Sequence, residues 1–181
     1  MIVSKVKTMM LELCKDKDFD WAKHITSVAK YSKILAEKLH ADAEVCELSA
    51  WLHDIIKIRD GVRDLHHVKG SEEAAKILAP YNYPTEKIEK VKHCILTHSS
   101  DKNYPPLSVE AKIVAASDAL SHLDNFIDLA YVAFNLKKYG ITEGKGWLNK
   151  KYDACWDKIR ILPEAAEIGE ERYKAIRLII S

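Results

Sequence analysis

Glycine and proline are confined to a few places in this chain, and the segments between them have the spacing of α-helices. The 181 residues include six glycines and five prolines, which cluster around Gly61, Gly70, 80–84, 105–106 and 140–146. Between these points apolar residues recur every three or four positions, which is the period of a helix with one buried face. No segment shows convincing strand alternation. The sequence therefore predicts an all-α fold, a helical bundle of seven or eight helices.

Several of the predicted helices begin at residues that favour helix starts. Asp20 has the side chain of an N-cap, Ser71 precedes two glutamates, and Pro84 comes just before a helical pattern. The predicted segments cover approximately 3–15, from 20, from 43, from 71, from 85, 108–136, 146–160 and 164–180. No linker or repeat divides them, and 181 residues is an ordinary length for one folding unit. We expect a single domain over 1–181.

The charges of the chain nearly cancel. Lys and Arg number 28 and Asp and Glu number 27, so the formal net charge is +1. This balance gives no general attraction to duplex nucleic acid or to an anionic membrane, and no apolar run approaches the ~18 residues of a membrane span. The four cysteines are widely separated and form no metal-type pair. We expect a soluble cytoplasmic protein with reduced thiols, and a homodimer is possible.

The stretch SAWLHDIIK, residues 49–57, begins with mostly apolar residues and then places His53 and Asp54 side by side. His24 and Asp118 also lie on or beside apolar helix faces, where an unpaired carboxylate is costly. A divalent transition metal is one way to compensate such groups. Because adjacent helical residues point about 100° apart, His53 and Asp54 can share an ion only near a helix end. The alternative, that each polar side chain is a hydrogen-bonded structural residue, stays open for each taken alone.

The ordered set His24, His53 with Asp54, and Asp118 resembles the HD-domain superfamily of metal-dependent phosphohydrolases. The resemblance covers about 20–125, through the blocks HITSVAKYSKILAEKL, LSAWLHDIIK, HHVKGSEEAAKIL, YPTEKIEKVKHCILTHS and EAKIVAASDALSHLD. It implies that this part is the motif-bearing core and that helices in 126–181 pack on it. The aromatic residues after 125 recur at helical spacing and are interpreted as core packing, with a wall of the substrate pocket or a dimer surface as the alternatives.

The resemblance also implies roles for particular residues. The implied metal ligands are His24, His53, Asp54 and Asp118. The catalytic candidates are Asp54, His98 and His66, and the candidates for substrate binding are Lys57, Arg59, His66 and His98. The implied cofactor is a divalent transition metal, Mn, Fe, Co, Ni or Zn, as one ion with a second ion possible. His67 and His93 are displaced from the family positions. His122 is expected to be exposed to solvent, with a hydrogen bond to the Asp118 carboxylate as the alternative.

The function implied by the resemblance is hydrolysis of a small phosphorylated substrate, with a nucleotide as the first candidate, through a metal-activated water. Ile56 replaces a glycine that the family often has, and Ser27 stands in the region of a missing arginine. The segment DKNYPP differs from the branch that cleaves cyclic dinucleotides. A non-catalytic metal-binding or nucleotide-binding regulatory module is the alternative.

Overall fold

The computed structural model describes residues 1–17 and 19–181, and within them it contains ten α-helices and no β-strand. Eight helices have ten or more residues, so the all-α prediction is confirmed, and the predicted number matches the long helices. The helices are α1 (Ile2–Leu13), α2 (Trp21–Lys38), α3 (Ala43–Leu52), α4 (Ile55–Asp60), α5 (His66–Leu78), α6 (Thr85–Thr97), α7 (Val109–Asp124), α8 (Phe126–Tyr131), α9 (Ile141–Ile159) and α10 (Pro163–Ile180).

Side-chain caps fix the starts of the helices that carry the site. Asp20 accepts a hydrogen bond from the backbone N–H of Lys23 at 3.0 Å, as predicted, and so caps α2. Asp42 caps α3 in the same way, and Ser108 caps α7 by accepting from the N–H of Ala111 at 3.1 Å. Each cap satisfies an amide that a helix start otherwise leaves without a partner.

Three predicted boundaries are wrong. Helix α5 begins at His66 rather than Ser71, so Gly70 lies inside a helix. Helix α9 begins at Ile141 rather than near 146. The predicted helix over 108–136 is interrupted at Asn125, where the backbone leaves helical geometry, and continues as α8 and a short π-helical segment, Val132–Leu136.

The misread glycines have packing reasons to be in helices. A Cβ on Gly70 would lie 3.5 Å from the carbonyl oxygen of His53 and 3.4 Å from Ile95 Cγ2, so α5 passes close to the backbone at His53. On Gly144 a Cβ would collide with the ring of Phe134. These glycines permit close contact between elements and do not break their helices.

Helix α7 lies at the centre of the bundle and packs against α2, α3, α6, α9 and α10. Most of its residues are buried, and many are alanine or serine, which let the neighbouring helices approach closely. Apolar side chains of α1, α3, α4, α5 and α6 form one core cluster, and those of α7, α9 and α10 form most of a second. None of the helices in the described part of the chain is long and apolar enough to cross a membrane.

The chain turns a corner between α3 and α4, at the stretch that the sequence singled out. Helix α3 ends at Leu52, and Asp54 has φ −110° and ψ 18°, outside the helical region. Helix α4 then starts at Ile55. The predicted helix end at the His53 and Asp54 pair is confirmed.

Candidate metal centre and substrate cleft

Four polar side chains from three separate parts of the chain meet at one buried point, and we call them the first donor group: His24, His53, Asp54 and Asp118. His24 Nε2 lies 3.2 Å from His53 Nε2, 3.6 Å from Asp118 Oδ1 and 3.9 Å from Asp54 Oδ2. His53 Nε2 lies 3.5 Å from Asp54 Oδ2 and 3.9 Å from Asp118 Oδ1. Ligands bound to one ion at ~2.1 Å are themselves separated by about 3.0–3.5 Å. The spacing is close to that of a coordination shell.

The outer nitrogen of each histidine in this group is held by a hydrogen bond. His53 Nδ1 donates to the carbonyl oxygen of Ala50 at 2.8 Å. His24 Nδ1 lies 2.9 Å from the hydroxyl of Ser121, whose own proton is donated to the carbonyl oxygen of Asp118 at 2.7 Å. Ser121 must therefore accept from His24, so both rings carry their proton on Nδ1. Such bonds fix the tautomer and aim the Nε2 lone pair at the centre.

A second donor group, His66, His98 and Asp54, adjoins the first. His66 Nε2 and His98 Nε2 lie 3.6 and 3.5 Å from Asp54 Oδ1 and 3.3 Å from each other. Their Nδ1 atoms donate to the carbonyl oxygens of Arg63 and Ile95, at 2.8 and 2.6 Å. One oxygen of Asp54 thus faces each donor group.

The donor atoms of both groups fit a cation. In each group two Nε2 atoms face each other at 3.2–3.3 Å. Because each ring carries its proton on Nδ1, the two Nε2 atoms cannot form a hydrogen bond with each other. Asp54 Oδ1 is buried and has no hydrogen-bond partner within the described residues, since Lys57 Nζ lies 2.9 Å away but outside hydrogen-bonding geometry. Facing lone pairs and a buried carboxylate oxygen are what a metal ion would satisfy.

The electrostatics hold these groups in the protonation states of ligands. Burial and the neighbouring His53 lower the pKa of His24 to about 3, and burial and Lys57 lower the pKa of His66 to about 3. Burial alone would raise the pKa of Asp54, but the charge of Lys57 holds that pKa well below its usual value. Neutral imidazoles and an ionised carboxylate are the forms that bind a metal.

Lys158 on α9 is a member of the site that the sequence did not reveal. Its ammonium donates to Asp118 Oδ2 at 2.6 Å and to the carbonyl oxygen of His98 at 3.1 Å. Burial would raise the pKa of Asp118, but the charge of Lys158 holds that pKa well below its usual value. The sequence did contain one sign that Lys158 faces the protein interior. Lys151 and Lys158 are two turns apart on the same face of α9, next to the buried Cys155.

His122 was expected to be exposed, and that expectation is wrong. Its ring stacks on His24 with centroids 5.1 Å apart, and its Nε2 lies 3.4 Å from Asp118 Oδ1. Helix α9 covers this part of α7, since Tyr152 donates its hydroxyl proton to the carbonyl oxygen of His122. Burial and Lys151 lower the pKa of His122 well below its usual value.

A cleft of about 220 Å³ opens onto both donor groups. The acidic side chains that line it, among the described residues, are Asp54 and Asp118. Its basic side chains are Lys57, Arg63, Lys137, Lys151 and Lys158, and its aromatic walls include Phe19, Trp21 and Trp147. A chain with a net charge of +1 thus concentrates positive charge where an anionic ligand could reach the donor groups.

The family model of the HD domain matches residues 21–123, which is more than half of the chain. The chain belongs to the HD-domain family. Solved structures share the fold over nearly the whole HD-domain chain. Bacillus subtilis YpgQ in complex with ADP has a TM-score of 0.76 and 23% identity, covering 99% of this chain and 91% of that one. The Lin1889 protein of Listeria innocua has a TM-score of 0.74 and 21% identity, covering 99% and 91%.

Curated relatives are longer proteins. Ribonuclease Y of Symbiobacterium thermophilum is 35% identical over 99 residues, which are 55% of this chain and 17% of that protein. Ribonuclease Y of Petrotoga mobilis is 35% identical over 104 residues, 56% of this chain and 18% of that protein. The matched part of the HD-domain chain therefore spans less than a fifth of these relatives.

Of the other residues singled out in the HD-domain sequence, Lys57 lines the cleft and Arg59 does not. The guanidinium of Arg59 pairs with Asp60 at 2.8 Å and with Glu73 at 2.5 Å. Because its donors are occupied by these carboxylates, Arg59 is not brought to the substrate side.

The two displaced histidines also lie away from the cleft lining. His67 is buried, with its Nε2 3.5 Å from Asp101 Oδ2 and its ring against Tyr104. His93 Nε2 accepts from the backbone N–H of Leu107 at 3.4 Å. Both contact the loop that joins α6 to α7.

Proposed function

We propose that this HD-domain protein is a metal-dependent phosphohydrolase that acts on a small phosphorylated substrate, with a nucleotide as the first candidate. The observation that carries the proposal is that two clusters of histidine and aspartate donors lie beside a cleft whose remaining charged side chains are cationic. Phosphoryl transfer requires both a Lewis acid and cations around the phosphoryl oxygens.

The first donor group, His24, His53, Asp54 and Asp118, would hold the metal. Two imidazoles and two carboxylates suit Mn, Fe, Co, Ni or Zn. When bound, such an ion supplies Lewis acidity and lowers the pKa of its water. One ion is proposed here, and the second donor group offers a place for another.

The side chains around the centre have separable roles in this proposal. Lys57, Lys151 and Lys158 line the cleft and would neutralise phosphoryl oxygens. Asp54 would orient the attacking water. His66 and His98 have lowered pKa values, from burial, and present Nε2 lone pairs. A neutral imidazole with a lowered pKa holds a proton poorly, which favours binding a second ion over acting as an acid or donating to a phosphate.

The preference for a nucleotide is supported by the aromatic walls of the cleft. Phe19, Trp21 and Trp147 offer faces on which a base could stack, and cations lie among them. One structure with the same fold, YpgQ, was solved with ADP, and two longer relatives are named Ribonuclease Y. The near-zero net charge supports small substrates over duplex nucleic acid.

The proposal is tested by incubating the chain with Mn²⁺ and a panel of nucleotides and measuring release of phosphate and pyrophosphate. We expect release with Mn²⁺ and none after chelation, because the donor groups would lose their ion. Tight nucleotide binding without release of either product would instead support the non-catalytic binding module.

The hydrogen bond from His24 to Ser121 predicts a specific effect on metal affinity. Ser121→Ala removes the acceptor that fixes the His24 tautomer, and we expect the affinity for Mn²⁺ to fall about 10- to 100-fold. Ser117→Ala is a matched control, because Ser117 lies one turn earlier on α7 and its buried hydroxyl has no hydrogen-bond partner in the described residues. Titration calorimetry on metal-free protein measures the affinity of each variant for Mn²⁺. Equal affinities in the two variants would contradict this role for Ser121.

A further inference from the structure

A second cleft of about 230 Å³ continues from the first, on the side of α4. It is lined by Lys17, Phe19, Trp21, Lys57, Ile58, Gly61, Arg63 and Leu136. Phe19, Trp21, Lys57 and Arg63 line both clefts, so the two spaces share a wall. A ligand in the first cleft can therefore extend into the second.

The second cleft is basic. Three of its lining side chains are cations, and none of the described residues that line it is acidic. Within the described part of the chain, Lys17 and Arg63 form no ion pair, whereas Arg59 on α4 is engaged by two carboxylates. Lys17 and Arg63 therefore keep donors for a ligand, and guanidinium groups bind phosphate well.

The second cleft begins next to the candidate metal centre. Lys57 Nζ, which lines it, lies 2.9 Å from Asp54 Oδ1. The ring of Trp21, on the shared wall, has its centroid 6.0 Å from that of His24 and packs edge-on against Phe19. The basic cleft is therefore adjacent to the first donor group, through Lys57 and Trp21.

We propose that Lys17, Lys57 and Arg63 form a subsite for a second phosphate group of the substrate, distinct from the phosphate that is cleaved. The proposal rests on the proposed function, since it assumes that the reacting phosphate lies at the donor groups. The second phosphate can be linked through an anhydride, as in a nucleoside diphosphate, or through a phosphodiester, as in a 5′-phosphorylated dinucleotide. Both present the same anionic group to these cations.

The test compares wild-type protein with the double variant Lys17→Gln and Arg63→Gln, using Mn²⁺ and the substrates AMP, ADP, ATP and pApA. We expect kcat/KM relative to that for AMP to fall at least about tenfold for the substrates whose second phosphate enters the subsite. A loss with ADP and ATP indicates the anhydride-linked group, and a loss with pApA indicates the phosphodiester. Arg59→Gln is the control, because Arg59 has the same charge on α4 but lies outside both clefts.

Ratios in the double variant within about twofold of wild type for every substrate would overturn the subsite. If wild-type protein hydrolyses none of the four, the proposed function fails, and calorimetric titration with inorganic pyrophosphate then decides the subsite separately. Binding to wild type that is at least about tenfold weaker in the double variant supports it. Equal binding to both, or no binding to wild type, overturns it.

Discussion

Replacement of Asp54 by alanine is expected to remove bound metal and to lower phosphate release at least about a thousandfold, which corresponds to ~4 kcal/mol in the activation barrier. Asp54 Oδ2 faces the histidines of the first donor group, and Asp54 Oδ1 faces those of the second. No other side chain of the described residues has one oxygen in each group. A single substitution should therefore disable both.

The measurement pairs metal content, by mass spectrometry of protein prepared without chelator, with turnover in added Mn²⁺. Asp60→Ala is the matched control, since Asp60 lies at the end of α4 and pairs with Arg59 away from the cleft. We expect the control to keep its metal and its activity. Full activity in metal-free Asp54→Ala protein would refute the proposed chemistry.

The second large effect is expected from Lys158→Met. Lys158 is the ammonium that balances Asp118, and the side chains of both are at most 13% exposed. Removing it leaves a buried carboxylate without its partner, which typically costs about 3–5 kcal/mol in the free energy of unfolding. Bound Mn²⁺ should recover part of the loss, because an ion at the first donor group replaces the missing positive charge.

Urea unfolding of metal-free and Mn²⁺-loaded protein measures both parts of this prediction. Lys150→Met is the control, because Lys150 lies on the same helix but is exposed, and we expect a change within about 0.5 kcal/mol. The double variant Asp118→Asn with Lys158→Met should be less destabilised than Lys158→Met alone, since the neutral amide needs no counter-charge. Additive losses in that double variant would show that the ion pair does not stabilise the fold.

The first donor group was open to prediction because its members stand out locally. His24 and Asp118 are polar groups on apolar helix faces, and the corner after Leu52 follows from the adjacent His53 and Asp54. That both histidines lie within 4 Å of both carboxylates is a tertiary property, which periodicity alone cannot supply. The resemblance to a family predicted that these side chains meet at one point, and the structure gives the distances between them.

Lys158 and His122 escaped prediction for a physical reason. A lysine or histidine on an amphipathic helix is usually solvated, and only the packing of α9 on α7 buries these two beside Asp118. Gly70 and Gly144 were misread for a related reason. In a sequence taken alone, a glycine suggests the end of a helix. Here each glycine lies inside a helix, at a place where another element packs closely against it.

The position of Lys158 also bears on how much of the chain the metal-type donors need around them. The family match ends at residue 123, yet the charge balance of Asp118 and part of the cleft come from α9, more than twenty residues later in the chain. A segment that ends at residue 123 would contain both donor groups but not Lys158. The buried carboxylate of Asp118 would then lack its counter-charge. The part of the chain that matches the family is therefore shorter than the part needed to balance the charge of its donors. Transfer of residues 21–123 into another protein would require a cation in place of Lys158.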